Sequence, residues 1–192
     1  MFNTSLPVYL ASKSPRRKKL LNQLKINFKV IEVDINEDPR EGESPVRMVK
    51  RLSKEKLEKA RGKVKKGIII TADTTVVLDK TVLGKPKDEK DAEKILKKLS
   101  GKTHAVYTGF SVFNTVNNKL ITDYEKTLVS FKNLKPEEID NYIASGTPMD
   151  KAGAYGIQDD FGAVFIKKIN GDYYNVVGLP LYKLYDSLKQ LL

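Results

Sequence analysis

The chain has no cysteine, no tryptophan and a single histidine, His104. Without cysteine, structural disulfides and thiolate catalysis are excluded; the composition suits a reducing compartment, and the cytoplasm is the expected location. One histidine cannot build a histidine-rich zinc site, and it would have to serve any Ser-His-Asp triad alone. No G-x-S-x-G elbow supports such a triad, so His104 is read as a packing residue. No apolar run approaches about 18 residues and no basic-then-apolar leader opens the chain, so a soluble protein with no membrane contact is expected. Internal repeats and low-complexity segments are absent as well.

What is present is charge. Lys and Arg number 35 against 24 Asp and Glu, a net +11 over 192 residues. That length fits one domain spanning residues 1–192, folded as two lobes around a cleft. The excess attracts polyanions, nucleotide or nucleic acid. Its lysines are scattered in pairs such as Lys18-Lys19, Lys65-Lys66 and Lys97-Lys98, where helices would face water. No aromatic-rich RNA-binding string, zinc finger or basic heptad accompanies them, so nucleic acid ranks second as a partner.

Strand and helix signals alternate. Val8–Ala11 reads as a strand and Pro15 to about Lys25 as a helix, followed by a strand over 28–34 and an acidic loop from Asn36 to Glu43. Ser44-Pro45 opens a long helix with Val46, Val49, Leu52, Leu57, Ala60 and Val64 inward and lysine-glutamate pairs outward. An apolar strand covers 67–71, a small hairpin turns at Asp79-Lys80, and a helix runs from Asp88 to Gly101. A long hairpin joins 104–116 to 119–131, and Pro136 to Ala144 is a short helix. The pattern then predicts a hairpin of 163–169 against 172–177 through Asn170-Gly171, and a last helix over 181–192.

Arg16 and Arg17 carry the first functional signal. In LASKSPRR, Ser14 reads as an N-cap and Pro15 as the first helical residue, which places two guanidinium groups against the positive end of the helix dipole. Free backbone N–H groups beside two bidentate-capable cations form a phosphate or carboxylate site. SGKT at 100–103 imitates half of a P-loop, but the motif needs glycine where Leu96 stands, and it closes a helix instead of opening one. Asp73 follows the strand 67–71 at the edge where open α/β sheets hold ligands. Glu37 sits in a loop with Asp34, Asp38, Glu41 and Glu43, one or two of which could hold a hard cation. Lys85, held by Pro86, is a candidate second phosphate contact. Arginines, a lysine and hard carboxylates without a nucleophilic cysteine suit metal-assisted attack of water on a phosphoryl group.

LASKSPRRKKLL, INE (35–37), ADTTVVLD (72–79), LGKP (83–86), LSGKTHAVYTG (99–109), DKAGAYGIQ (150–158) and YYNVVGLPL (173–181) resemble the Maf family of nucleoside triphosphate pyrophosphatases, in order along nearly the whole chain. The resemblance implies an α/β fold of two lobes, similar to inosine triphosphate pyrophosphatases, with a curved mixed sheet and flanking helices around a central cleft. It implies hydrolysis of a nucleoside triphosphate to the monophosphate and pyrophosphate with Mg²⁺, or Mn²⁺ in its place, in a homodimer. By position, Ser12, Arg16 and Arg17 match the family's phosphate-binding turn, Lys85 a phosphate-contacting lysine, Lys56 a site lysine and Glu37 a metal-site glutamate. Asp73 matches the catalytic proton acceptor, with metal binding as its alternative. Thr74 and Gln158 resemble the branch acting on dTTP and UTP; alternatives are a 7-methyl-GTP or other modified-nucleotide pyrophosphatase, or a non-catalytic nucleic-acid or cell-division binder. The pattern departs after Gln158, where Asp159-Asp160 replaces the usual glycine.

Overall fold

A computed structural model describes residues 2–158 and 161–192. The departure at Asp159-Asp160 lies outside the described residues. Strand β1 (Val8–Ala11) leads through α1 (Pro15–Gln23) to β2 (Phe28–Ile31), and α2 (Pro45–Arg61) leads to β3 (Ile68–Leu78) and β4 (Thr81–Leu83). Helix α3 (Glu89–Leu99) precedes the long strands β5 (Thr103–Asn114) and β6 (Leu120–Phe131). Then come α4 (Pro136–Ala144), three 3₁₀ turns, β7 (Ile166–Asn170), α5 (Tyr173–Val177) and α6 (Leu181–Gln190). The strands pair as one mixed seven-stranded sheet, β2-β1-β3-β5-β6-β7, with β4 on β3. β1 is parallel to both neighbours, Val8 standing opposite Phe28 and Ile68, while β4 and β7 run antiparallel to β3 and β6.

The chain divides into two compact units. The first comprises Met1–Thr74, Thr108–Glu125 and Gly178–Leu192. Its helices start as the sequence dictates: Ser14 and Ser44 accept hydrogen bonds from the N–H groups of Arg17 and Arg47, each followed by a first-turn proline. Helix α2 buries Met48, Val49, Leu52, Leu57 and Ala60, the last two packing with Ala11, Ile69 and Phe113. Lys56 is buried on this same apolar face. The second unit comprises Thr75–Tyr107 and Lys126–Val177. There Leu96 and Leu99 of α3 pack with Val106, Phe131, Tyr142 and Phe165.

Two expectations are corrected. The strand expected to stop at residue 71 runs on to Leu78, because Thr71, Asp73 and Thr75 are buried with polar partners or packed within the sheet instead of breaking it. Asp73 therefore lies inside a strand, not after one. The expected hairpin through Asn170-Gly171 does not form. Residues Phe161–Phe165 are a 3₁₀ turn, β7 pairs with β6, and 173–177 are helical. The Asp172 carboxylate accepts from the N–H groups of Tyr174 (2.7 Å) and Asn175 (3.3 Å), and that cap overrides the strand preference of Tyr-Tyr-Asn-Val-Val.

Candidate active site

In the first unit, two carboxylates converge on one ammonium. Lys56 Nζ lies 2.7 Å from Asp73 Oδ1 and 2.7 Å from Glu37 Oε1. Lys56 and Asp73 are 7% and 6% exposed, while the Glu37 side chain is 45% exposed. Three elements make the cluster: Asp73 projects from β3, Lys56 from the inner face of α2, and Glu37 from the acidic loop. Arg51 fastens that loop to α2. Its Nε and Nη2 each bond a Glu43 oxygen at 2.7 Å, Nη2 donates to Asp38 O at 3.1 Å, and Nη1 reaches Glu55. The pair holds the Glu43 carboxyl below its ordinary range and raises the already high Arg51 value.

At the start of α1 the two arginines differ. Arg17 Nε donates to Gly178 O (2.9 Å), Nη2 to Thr74 Oγ1 (3.0 Å) and Nη1 to Ser12 Oγ (3.4 Å). Thr74 Oγ1 also shares a hydrogen bond with the buried Thr108 Oγ1 at 2.9 Å. Arg17 thus ties the end of β1, the middle of β3 and the turn at Gly178 together. Gly178, at φ +125°, occupies a backbone region that side chains disfavour. Burial lowers the Arg17 pKa, opposed by the charges of Asp73 and Glu37 and reinforced by Arg16. Arg16 is half-buried in the same first turn. Arg17 is linked to the Lys56–Asp73–Glu37 cluster through Thr74, the residue after Asp73.

The second unit holds the other two candidates. Lys85 is exposed after β4, where Gly84 O accepts from Gly153 N at 3.0 Å. Gln158 is half-buried, and its Oε1 is shielded from solvent with no hydrogen-bond partner among the described residues. His104 stands apart in function. It is 2% exposed, its Nε2 lies 2.7 Å from Tyr155 Oη, and burial drops its pKa to about 4. This is the packing role expected of it. Ser100 caps the end of α3, as the rejection of a P-loop requires.

Among the described residues no group of three or more His, Asp or Glu side chains is placed to hold a metal. Glu37 and Asp73 nevertheless suit a hard divalent cation, since both present oxygen to a single positive centre already. Mg²⁺ is commonly held by one or two carboxylates, with substrate phosphates completing its shell.

A family model described as Maf-like protein matches residues 7–191. The chain belongs to the Maf family. It is 47% identical over 184 residues to a dTTP/UTP pyrophosphatase of Dictyoglomus turgidum, covering 95% of each chain. It is 45% identical to a dTTP/UTP pyrophosphatase of Clostridioides difficile over 95% of this chain and 94% of that one, and 48% identical to another of Thermoanaerobacter sp. (strain X514) over 96% of each. Within this Maf chain, sequence reasoning missed Arg51 and the buried hydroxyls behind Asp73. Arg51 had a readable signal in its i,i+4 partner Glu55; its partnership with Glu43 is made by folding of the acidic loop.

Proposed function

We propose that this Maf protein hydrolyses dTTP and UTP to the nucleoside monophosphate and pyrophosphate. The observation that carries the reading is the cluster of buried Lys56 and Asp73 with Glu37, next to the Thr74 that Arg17 of α1 holds, in a chain 45–48% identical to the dTTP/UTP pyrophosphatases named above. Chain and relatives match over nearly their full lengths, and the chain is a hydrolase acting on acid anhydrides.

Arg16 and the amide-rich start of α1 bind the triphosphate, and Ser12 contributes its hydroxyl there. Arg17 adds positive charge to the same pocket while its donors hold Thr74 and Gly178 in place. Lys85 contacts a second phosphate. Asp73 accepts the proton of the attacking water, and Lys56, 2.7 Å from Oδ1, orients that carboxylate. Glu37 and Asp73 would hold Mg²⁺, or Mn²⁺ in its place; bound there, the cation neutralises charge developing on the phosphoryl oxygens. Gln158 pairs with the base edge, its amide oxygen accepting the pyrimidine N3–H, with Thr74 placing base or sugar. Residues 1–192 act as one catalytic domain, the enzyme is a cytoplasmic homodimer, and nucleic acid is not its substrate. No described helix is long and apolar enough to cross a membrane.

The test is incubation with dTTP, UTP, CTP, ATP, GTP and 7-methyl-GTP in Mg²⁺, with pyrophosphate and orthophosphate detected separately. Pyrophosphate from UTP and dTTP before the others is the expected result. Orthophosphate as the first product would replace this reading with a γ-phosphatase, and equal cleavage of all six would remove the pyrimidine preference.

A further inference from the structure

Asp73 and Lys56 meet across the gap between β3 and α2, so the geometry of their ion pair depends on the height of the helix above the sheet. Thr71 lies two residues before Asp73 and therefore on the same face of β3. Ser53 lies three residues before Lys56 and therefore on the same side of α2. The Thr71 hydroxyl donates to Ser53 O at 2.7 Å, with Ser111 O of β5 at 3.4 Å. Around it runs a chain of hydroxyls. Ser53 Oγ donates to Lys50 O at 2.9 Å, so its bond to Ser111 Oγ (3.0 Å) must be donated by Ser111. Ser111 then accepts from Thr122 Oγ1 at 2.9 Å, since each hydroxyl has one proton. Ser53, Thr71 and Ser111 are fully buried. Beside them Gly109 lets the helix touch the sheet: a Cβ there would stand 2.5 Å from both C and O of Val49.

The Ser53 carbonyl lies inside a helix and is turned toward the next turn's N–H, so it needs no help from Thr71 to be satisfied. Burying hydroxyls to make redundant bonds costs more than packing aliphatic side chains would. We infer that Thr71 is a positioning residue: its bond from β3 to the Ser53 carbonyl fixes α2 at the height where the Lys56 ammonium reaches Asp73 and Glu37. The inference rests on the reading of that cluster as the catalytic one.

Thr71→Val keeps shape and removes the bond; Thr71→Ser restores it. Two readouts separate positioning from simple stability. For UTP hydrolysis, Thr71→Val lowers kcat by about tenfold with KM little changed, because small displacements at a reacting centre act on rate more than on binding. Independently of turnover, acylation of Lys56 by an amine-reactive ester, followed by mass spectrometry, accelerates several-fold in folded Thr71→Val. Both return to normal in Thr71→Ser. Ile70→Val, which trims a fully buried residue on the opposite face of β3, serves as the stability control and leaves Lys56 labelling unchanged. Unaltered Lys56 labelling in folded Thr71→Val overturns the inference, as does equal acceleration in Ile70→Val. An unmodified protein that fails to cleave UTP overturns the pyrophosphatase reading alone, because the labelling arm still decides what Thr71 does.

Discussion

Each unit buries a pair of polar side chains 2.7 Å apart, an ion pair in the first and a hydrogen bond between two rings in the second. In the second unit, His104 meets Tyr155 with the Phe131 ring edge-on at 5.0 Å, and no opposite charge compensates burial. Both groups are driven to their neutral forms, His104 downward to about 4 and Tyr155 upward. In the first unit, Lys56 and Asp73 are buried too, yet the Lys56 ammonium lies 2.7 Å from each of two carboxylates. Burial expels a charge unless another charge holds it. A buried ion pair adds little to stability over apolar packing, so its retention points to chemistry, whereas the neutral pair is accounted for by packing.

The contrast breaks most severely at Lys56. Lys56→Met leaves the Asp73 carboxylate buried without its closest partner, and urea unfolding should show a loss of about 3–5 kcal/mol. Lys56→Met combined with Asp73→Leu should recover much of it. Full recovery of activity in either variant would contradict the catalytic reading.

The neutral pair sharpens the comparison through acid. Native His104 stays unprotonated while the unfolded chain takes up a proton below about pH 6.5, so its share of stability is complete above that pH and declines as pH falls toward about 4. The loss should reach about 3 kcal/mol. Comparing the pH dependence of unfolding in the unmodified protein and His104→Phe isolates it: the variant lacks this limb and retains turnover within about twofold. Identical acid profiles would mean that His104 binds its proton equally well in the native and unfolded chains.

The arginines divide the first unit further. Arg16→Ala should cost about 1.5–3 kcal/mol in kcat/KM while stability holds, because a cation leaves the positive end of α1. Arg17→Ala should lose stability as well, by about 1–3 kcal/mol, since Thr74 and Gly178 lose a donor. Equal melting temperatures for the two variants would show that the Arg17 bonds carry no structural weight. Smallest is Gln158→Glu, which keeps shape and should narrow the preference for UTP over CTP by about tenfold, read from the two kcat/KM values.

The helix starts were legible because their physics is local. Ser14-Pro15, Ser44-Pro45 and Asp88 each cap where the sequence places them. Asp73 was found as a candidate but set at the end of a strand, because Thr71 to Thr75 looks like a polar interruption until Ser53 and Lys56 of α2, Thr108 of β5 and Arg17 supply partners distant in sequence. Lys56 was hidden for the opposite reason. Helical periodicity assigns lysines to the outer face, and only the family resemblance singled out this one, buried among Leu52, Leu57 and Ala60. Thr71 sat unremarked in GIIIT, where a hydroxyl passes for one more β-branched strand residue.

Asp73→Asn tests the account most directly, since it keeps the shape of the side chain, removes its charge and leaves Glu37 paired with Lys56. Pyrophosphate release from UTP in Mg²⁺ should fall by about 10²-fold or more while the folded fraction stays that of the unmodified protein. Near-normal release from a folded Asp73→Asn protein would contradict the central claim that the Lys56–Asp73–Glu37 cluster performs the hydrolysis.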